Sequence, residues 1–275
     1  MAVARLAVLG SPIAHSCSPV LHRAAYGVLG LDWEYDAIEV SGAQLADFVT
    51  SRDASWRGLS LTMPLKRDIL PMLTDVSELA RETGSSNTVL FEPGALRGFN
   101  TDVYGLTQGF ARHGRLSLDS VLILGAGATA ASALVAAARL GARTVFVGVR
   151  SPARATALVD VGRAQGLQIQ LRTLDQLVQI DEALDAVIST IPNGAAVSVS
   201  LDPDTVRTAT LFDVSYSPWP TPLAASWTGE NVIGGLEMLV LQALAQVRVF
   251  VAGDPDEALG RDDEVLAAML GVAGL

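Results

Sequence analysis

The chain has 275 residues, half of them hydrophobic and 17% charged, which suits two domains or one large α/β domain and argues against disorder. A formal net charge of −10 excludes the broad basic footprint that nucleic acid or anionic lipid requires, so an anionic ligand has to be met locally. The single cysteine, Cys17, has no intramolecular disulfide partner, which fits a reducing compartment, and the cytoplasm is the default expectation.

The first apolar stretch is too short for a signal sequence and is stopped by Gly10-Ser11-Pro12, so it reads as a strand over residues 6–9. Further strands are expected near 33–40, 59–62 and 87–91, with helices near 19–29, 43–51 and 64–73 and a hairpin turn at Glu92-Pro93-Gly94-Ala95. A second series opens with a strand at 120–124, a helix at 127–140 and a strand at 144–149. A helix beginning near Pro152 and strands at 186–189 and 211–214 follow. Two amphipathic helices, 236–251 and 256–270, close the pattern and are read as returning to the first domain. Short β-rich runs alternating with helical patterns predict βαβ units and parallel sheets. The apolar run 121–138 reaches the ~18 residues of a membrane span, but Gly125 and Gly127 divide it into strand and helix, so no membrane segment is expected.

Val121-Leu122-Ile123-Leu124 leads directly into Gly125-Ala126-Gly127-Ala128-Thr129-Ala130, the G-x-G-x-x-A form of the dinucleotide fingerprint between strand and helix. Gly125 permits the tight turn, Gly127 lets a pyrophosphate approach the backbone, and Ala130 allows the helix to pack closely. The alternative is a glycine-rich turn that binds nothing. NAD sites place a carboxylate about 20 residues further on to accept the ribose 2′-hydroxyl. This chain has Arg150-Ser151 there and Arg154 one turn later, which points to NADP unless the arginines are merely solvated.

Gly10-Ser11-Pro12-Ile13-Ala14-His15-Ser16-Cys17-Ser18-Pro19 closely resembles the N-terminal signature of shikimate dehydrogenases. The resemblance continues through Leu61-Thr62-Met63-Pro64-Leu65-Lys66, Ser86-Asn87-Thr88, Asn100-Thr101-Asp102, Asp213-Val214-Ser215-Tyr216 with Thr221-Pro222-Leu223, and Gly235-Leu236-Glu237-Met238-Leu239 with Gln242, over essentially the whole chain. It implies a substrate domain of 1–104 plus 236–275 and a Rossmann-like NADP domain of 105–235. It also implies reversible NADPH-dependent reduction of 3-dehydroshikimate to shikimate, by a monomer or homodimer. Ser16 and Ser18 would hold the substrate carboxylate, Thr62, Lys66, Asn87, Asp102 and Gln242 would surround the ring hydroxyls, and Tyr216 would close the cleft from the cofactor side. The family's catalytic lysine and aspartate fall on Lys66 and Asp102, and Gly235 joins the cofactor residues. Ser60, Ala128, Val149 and Glu237 depart from the usual pattern, where asparagine, glycine, asparagine and glycine are common.

Local chemistry offers further readings. Pro64 suits the first helical position, which puts Lys66 in a first turn where the macrodipole opposes a cation. Asp102 reads as an N-cap or first-turn carboxylate, and Ser18 equally as the N-cap of the helix it precedes. Asn87, Tyr216 and Gln242 each have a plain structural alternative, as strand-end, packing or solvated groups. His15, His22 and His113 have no metal-ligand spacing, and no metal is expected. An NAD-dependent quinate/shikimate dehydrogenase and a non-catalytic dinucleotide-binding protein are the competing readings.

Overall fold

The computed structural model describes residues 4–192, 194, 195 and 198–275, apart from the side chain of Arg154. The chain divides into two compact units, Met1–Gly105 with Leu239–Leu275, and Leu106–Met238. In the first, strands β1 (Arg5–Gly10), β2 (Glu34–Glu39), β3 (Trp56–Leu61), β4 (Asp75–Val76), β5 (Thr88–Glu92) and β6 (Ala95–Phe99) form one sheet in the order β2-β1-β3-β5-β6-β4. β1 runs parallel to β2 and β3, whereas β5 is antiparallel to β3 and β6. Alternation along β1 sends Leu6 and Val8 into one apolar cluster and Ala7 and Leu9 into another, so both faces of the sheet are covered. The covering helices include α1 (Ser18–Leu29), α2 (Gly42–Thr50), α3 (Leu65–Asp68) and α4 (Glu78–Thr83).

α5 (Asp102–Arg112) carries the chain into the second unit. There β7 (Ser120–Leu124), β8 (Thr144–Val149), β9 (Gln168–Thr173), β10 (Ala186–Ser189), β11 (Thr210–Asp213) and β12 (Val232–Gly234) pair in the order β12-β11-β10-β7-β8-β9, every pair parallel. This is the doubly wound order, with its switch point between β7 and β10. α6 (Ala128–Arg139), α7 (Thr156–Ala164), α8 (Pro203–Thr208) and α9 (Pro222–Ser226) connect the strands. α10 (Gly235–Ala252) then leads back, and α11 (Asp262–Ala273) packs on α1. α10 is long and apolar enough to cross a membrane, but 72% of it is buried inside the protein, as in a core helix. The expected mixed α/β architecture with parallel sheets is thus present.

Several elements differ from the sequence reading. The helix expected over 64–73 is one turn, α3, followed by a 3-10 turn at Leu70–Met72. Pro71 cannot donate an N–H and disfavours helical geometry at the residue before it. The last helix starts at Asp262, not at 256. Arg248 holds the Asp262 carboxylate at 2.5 and 3.0 Å, and three acidic residues then occupy the first turn, where the helix end favours them. β4, β6, β9 and β12 are additional to the expected strands. β4 and β12 have two and three residues, β6 carries Gly98 in its interior, and β9 presents Gln168, Gln170 and Arg172, so none gives a clean apolar run.

Candidate functional site

In the first unit, main-chain hydrogen bonds bring three separate segments together. Ser86 N donates to Lys66 O at 2.8 Å, Leu61 N to Asn87 O at 2.7 Å, and Asn87 N to Phe99 O at 3.0 Å. These bonds set α3, the start of β5 and the residues before α5 side by side. Lys66 Nζ consequently lies 2.6 Å from Asp102 Oδ2, with the two side chains 14% and 4% exposed. Asn87 Nδ2 donates to Asp102 Oδ1 at 2.8 Å and lies 2.9 Å from Thr101 Oγ1 and 3.2 Å from Gln242 Oε1, which share its second proton, while Thr101 N donates to Asn87 Oδ1 at 2.9 Å. Gln242 is fixed in turn by donating to Leu239 O at 2.8 Å. Lys66, Asn87, Asp102 and Gln242 therefore form one cluster, and the ion pair sits largely out of water, where its geometry is held by charge-assisted bonds.

Two local readings need correction. Pro64 precedes the first helical residue, so Lys66 is second in a four-residue helix, too short for a substantial macrodipole. The charge nearest Nζ is Asp102. Asp102 is the first residue of α5, the first-turn alternative of its reading, and Asn100 satisfies the helix start by accepting from Asp102 N at 3.0 Å and Val103 N at 3.4 Å. Ser18 is likewise the first helical residue of α1, not its cap, and is buried; Ser16 Oγ accepts from Ser18 N at 3.3 Å. Thr62 stands at the end of β3, with Thr62 N donating to Leu9 O at 2.9 Å and Ser11 N to Met63 O at 3.1 Å, so the loop bearing Ser16 begins beside it. A Cβ at Gly10 would lie 2.4 Å from the Thr62 methyl, which is why glycine ends β1.

In the second unit, a cavity of about 590 Å³ opens at the switch point of the sheet. Gly125, Ala126 and Gly127 form one wall, Val149, Arg150 and Ser151 a second, and Leu174, Thr190, Ile191 and Pro192 much of the rest. Gly125 has φ +114°, and a Cβ there would stand 2.4 Å from Thr190 Oγ1. Above Gly127 no heavy atom lies within 4 Å of a built Cβ, so its missing side chain leaves open space at the start of α6. Ala130 is fully buried. Arg150 is exposed and, among the described residues, is the charged residue of the lining, to which they contribute no carboxylate. Such a cavity is of a size that suits a cofactor, and the donor set suits a phosphate-bearing one.

Other expected residues lie elsewhere. Ala128 and Thr129 begin α6 and do not line the cavity, and the Arg154 side chain is outside the described residues. Gly235 is also absent from the lining; a Cβ on it would meet Val214 O at 2.1 Å, so close backbone approach explains the glycine. Tyr216 is half-buried in the second unit, after β11. Burial pushes the Asp213 carboxyl above its ordinary value, although Thr221 Oγ1 donates to it at 2.5 Å and Ser215 N at 3.2 Å. Glu237 accepts from Arg112 Nε at 2.8 Å and lies 2.9 Å from His113 Nε2, which gives the unusual acid a structural role. Among the described residues no group of three potential ligands could hold a metal. Sequence reasoning assigned no role to Thr101, Thr190, Leu174, Ile191 or Pro192. Thr101 stood inside a quoted motif, whereas the others carry no local signal.

Residues 8–89 match the family model of the shikimate dehydrogenase substrate binding domain, and residues 109–209 that of shikimate / quinate 5-dehydrogenase. The NADP(+) shikimate dehydrogenase of Geobacter metallireducens is 34% identical over 96% of both chains. The chain belongs to the shikimate dehydrogenase family. Among solved structures, Mycobacterium tuberculosis shikimate dehydrogenase superposes with a TM-score of 0.83 at 35% identity, covering 98% of this chain and 99% of that one. The Thermus thermophilus shikimate 5-dehydrogenase, solved in complex with NADP(H) and shikimate, gives 0.81 at 30% identity, over 98% and 100%.

Proposed function

We propose that this chain is an NADP-dependent shikimate dehydrogenase that interconverts 3-dehydroshikimate and shikimate. The observation that carries the reading is the Lys66–Asp102 pair at 2.6 Å, backed by Asn87 and Gln242. Ser16 and Ser18 supply hydroxyls to the substrate carboxylate, and Thr62, Asn87 and Gln242 supply polar groups to the ring hydroxyls. In the reducing direction Lys66 Nζ passes a proton to the carbonyl oxygen, and in the oxidising direction it receives one from the hydroxyl. Asp102 holds the ammonium in place and accepts from the substrate hydroxyl, so the proton moves over a short, fixed path.

NADP supplies the hydride when bound. Gly125 to Gly127 would take its pyrophosphate beside the α6 N-terminus, and Arg150 with Ser151 would meet the 2′-phosphate, a reading supported by the open space at Gly127 and the cavity lining. Substrate and catalytic roles fall to the unit made of Met1–Gly105 and Leu239–Leu275, and the cofactor role to Leu106–Met238. A lone thiol, Cys17, supports a cytoplasmic location. Initial rates with shikimate and NADP test the reading: NADP-dependent oxidation of shikimate supports it, and absence of turnover refutes it.

A further inference from the structure

Behind the Lys66–Asp102 pair lies a buried hydrogen-bond chain whose direction can be worked out atom by atom. Gln246 follows Gln242 by four residues on α10, so the two share a helix face, and Gln246 is 2% exposed. Its amide lies 3.1 Å from Asn87 O, which can only accept, so that end is Nε2, and the same nitrogen reaches Thr88 Oγ1 at 3.1 Å. Oε1 is then an acceptor, receiving from Ser60 Oγ at 2.8 Å and His22 Nε2 at 3.2 Å. His22 therefore keeps its proton on Nε2, and Nδ1 accepts from Tyr26 OH at 3.2 Å. Ser60, having donated, accepts from Tyr35 OH at 2.6 Å.

The chain continues toward the site in the same sense. Thr88 Oγ1 accepts from Gln246 and so turns its own proton to Asn87 Oδ1 at 2.9 Å, which also receives Thr101 N. With its oxygen engaged twice, Asn87 must present Nδ2 to Asp102 Oδ1. The reversed amide would set oxygen against carboxylate oxygen. Every proton from Tyr26 through His22, Gln246, Thr88 and Asn87 thus points toward the Asp102 carboxylate, an arrangement in which each bond polarises the next.

We propose that Thr88 and Gln246 are positioning residues for the reaction: together with the Thr101 N–H they hold the Asn87 amide in the orientation that donates to Asp102, and so steady the carboxylate that pairs with Lys66. This inference rests on the dehydrogenase reading above. Neither side chain is required to touch substrate, and Ser60 is committed to this chain by its bond to Gln246 at 2.8 Å.

Thr88→Val tests it, because valine is close to threonine in shape and puts a methyl in place of the hydroxyl, while Gln246 keeps Asn87 O as a partner. kcat, KM for shikimate at saturating NADP and the thermal midpoint are measured for wild type, Thr88→Val and Thr88→Ser. Thr88→Val should lower kcat by roughly tenfold with a smaller change in KM, while Thr88→Ser restores kcat to within about twofold, both melting within about 5 °C of wild type. Turnover of Thr88→Val within twofold of wild type, a change confined to KM, or a loss of kcat that serine fails to rescue overturns the proposal. Should the valine variant not be recovered folded, Thr88→Ala is judged by the same criteria. A wild type inactive with shikimate would instead refute the functional reading on which the inference stands.

Discussion

Acid should destabilise this protein through His22, by an amount the structure allows to be worked out. The ring is fully buried, stacks on Tyr35 at a centroid distance of 4.0 Å, and is enclosed by Tyr26 and Phe250. Burial pushes its pKa from 6.5 down to about 3, against the smaller opposing effect of the Gln246 bond. A pKa that is lower in the folded state than in the unfolded chain gives stability that is fully present above 6.5 and is lost as pH falls toward 3. Each pH unit in that window is worth about 1.4 kcal/mol, so lowering the pH from 7 to 5 should remove about 2 kcal/mol through this one group. Carboxylates titrate in the same range, so the comparison is with His22→Gln, which retains an N–H for Gln246 but does not titrate. Urea unfolding at pH 7, 6 and 5 should show wild type losing about 2 kcal/mol more than the variant. Parallel pH dependence in the two proteins would show that His22 is not buried as a neutral ring.

Lys66→Ala should lower kcat by roughly 10²–10⁴ with a smaller effect on shikimate binding, read in a spectrophotometric NADPH assay; near-normal turnover would exclude Lys66 from proton transfer. Arg150→Leu should raise KM for NADP about tenfold or more while KM for shikimate holds, since a charge-assisted bond to phosphate contributes ~1.5–3 kcal/mol. Gly127→Ala adds a methyl where no atom lies within 4 Å and should leave the thermal midpoint nearly unchanged while weakening NADP binding. Gly125→Ala meets Thr190 Oγ1 at 2.4 Å with φ at +114° and should cost stability of about 1–3 kcal/mol. Calorimetric NADP titrations beside thermal melts separate the two glycines, and equal behaviour would contradict the space assigned above Gly127.

The strong periodic elements were legible because their cause is local. β1, β7 and β8 are apolar runs ended by glycine or arginine, and the turn of Gly125 to Gly127 announces itself between strand and helix. Lys66 and Asp102 could be named from motifs, but their 2.6 Å contact depends on β3, β5 and β6 pairing, which joins residues 36 apart. Gln246, 159 residues from Asn87, carried a readable clue only in its four-residue spacing from Gln242. The helix expected at 64–73 is cut short by Pro71, whose effect on the residue before it leaves no mark on the apolar pattern. The cavity wall from Leu174 and Thr190 to Pro192 was invisible, since Thr190 to Pro192 reach the glycine turn only where β10 lies beside β7, and Leu174 only where β9 lies beside β8.

The most direct test of the account is a set of initial rates for shikimate and quinate, each with NADP and with NAD. Quinate carries a hydroxyl on a tetrahedral C1 where shikimate has a ring double bond, so its carboxylate leaves the ring plane and the extra oxygen needs both room and a partner beside Ser16 and Ser18. Lacking that partner costs ~1–3 kcal/mol, or roughly tenfold or more in kcat/KM. The absence of a carboxylate beside Arg150 among the described lining residues favours NADP over NAD. Shikimate with NADP should give the highest kcat/KM of the four pairs, by at least about tenfold over either change of partner. Equal efficiency with quinate, or equal efficiency with NAD, would contradict the account.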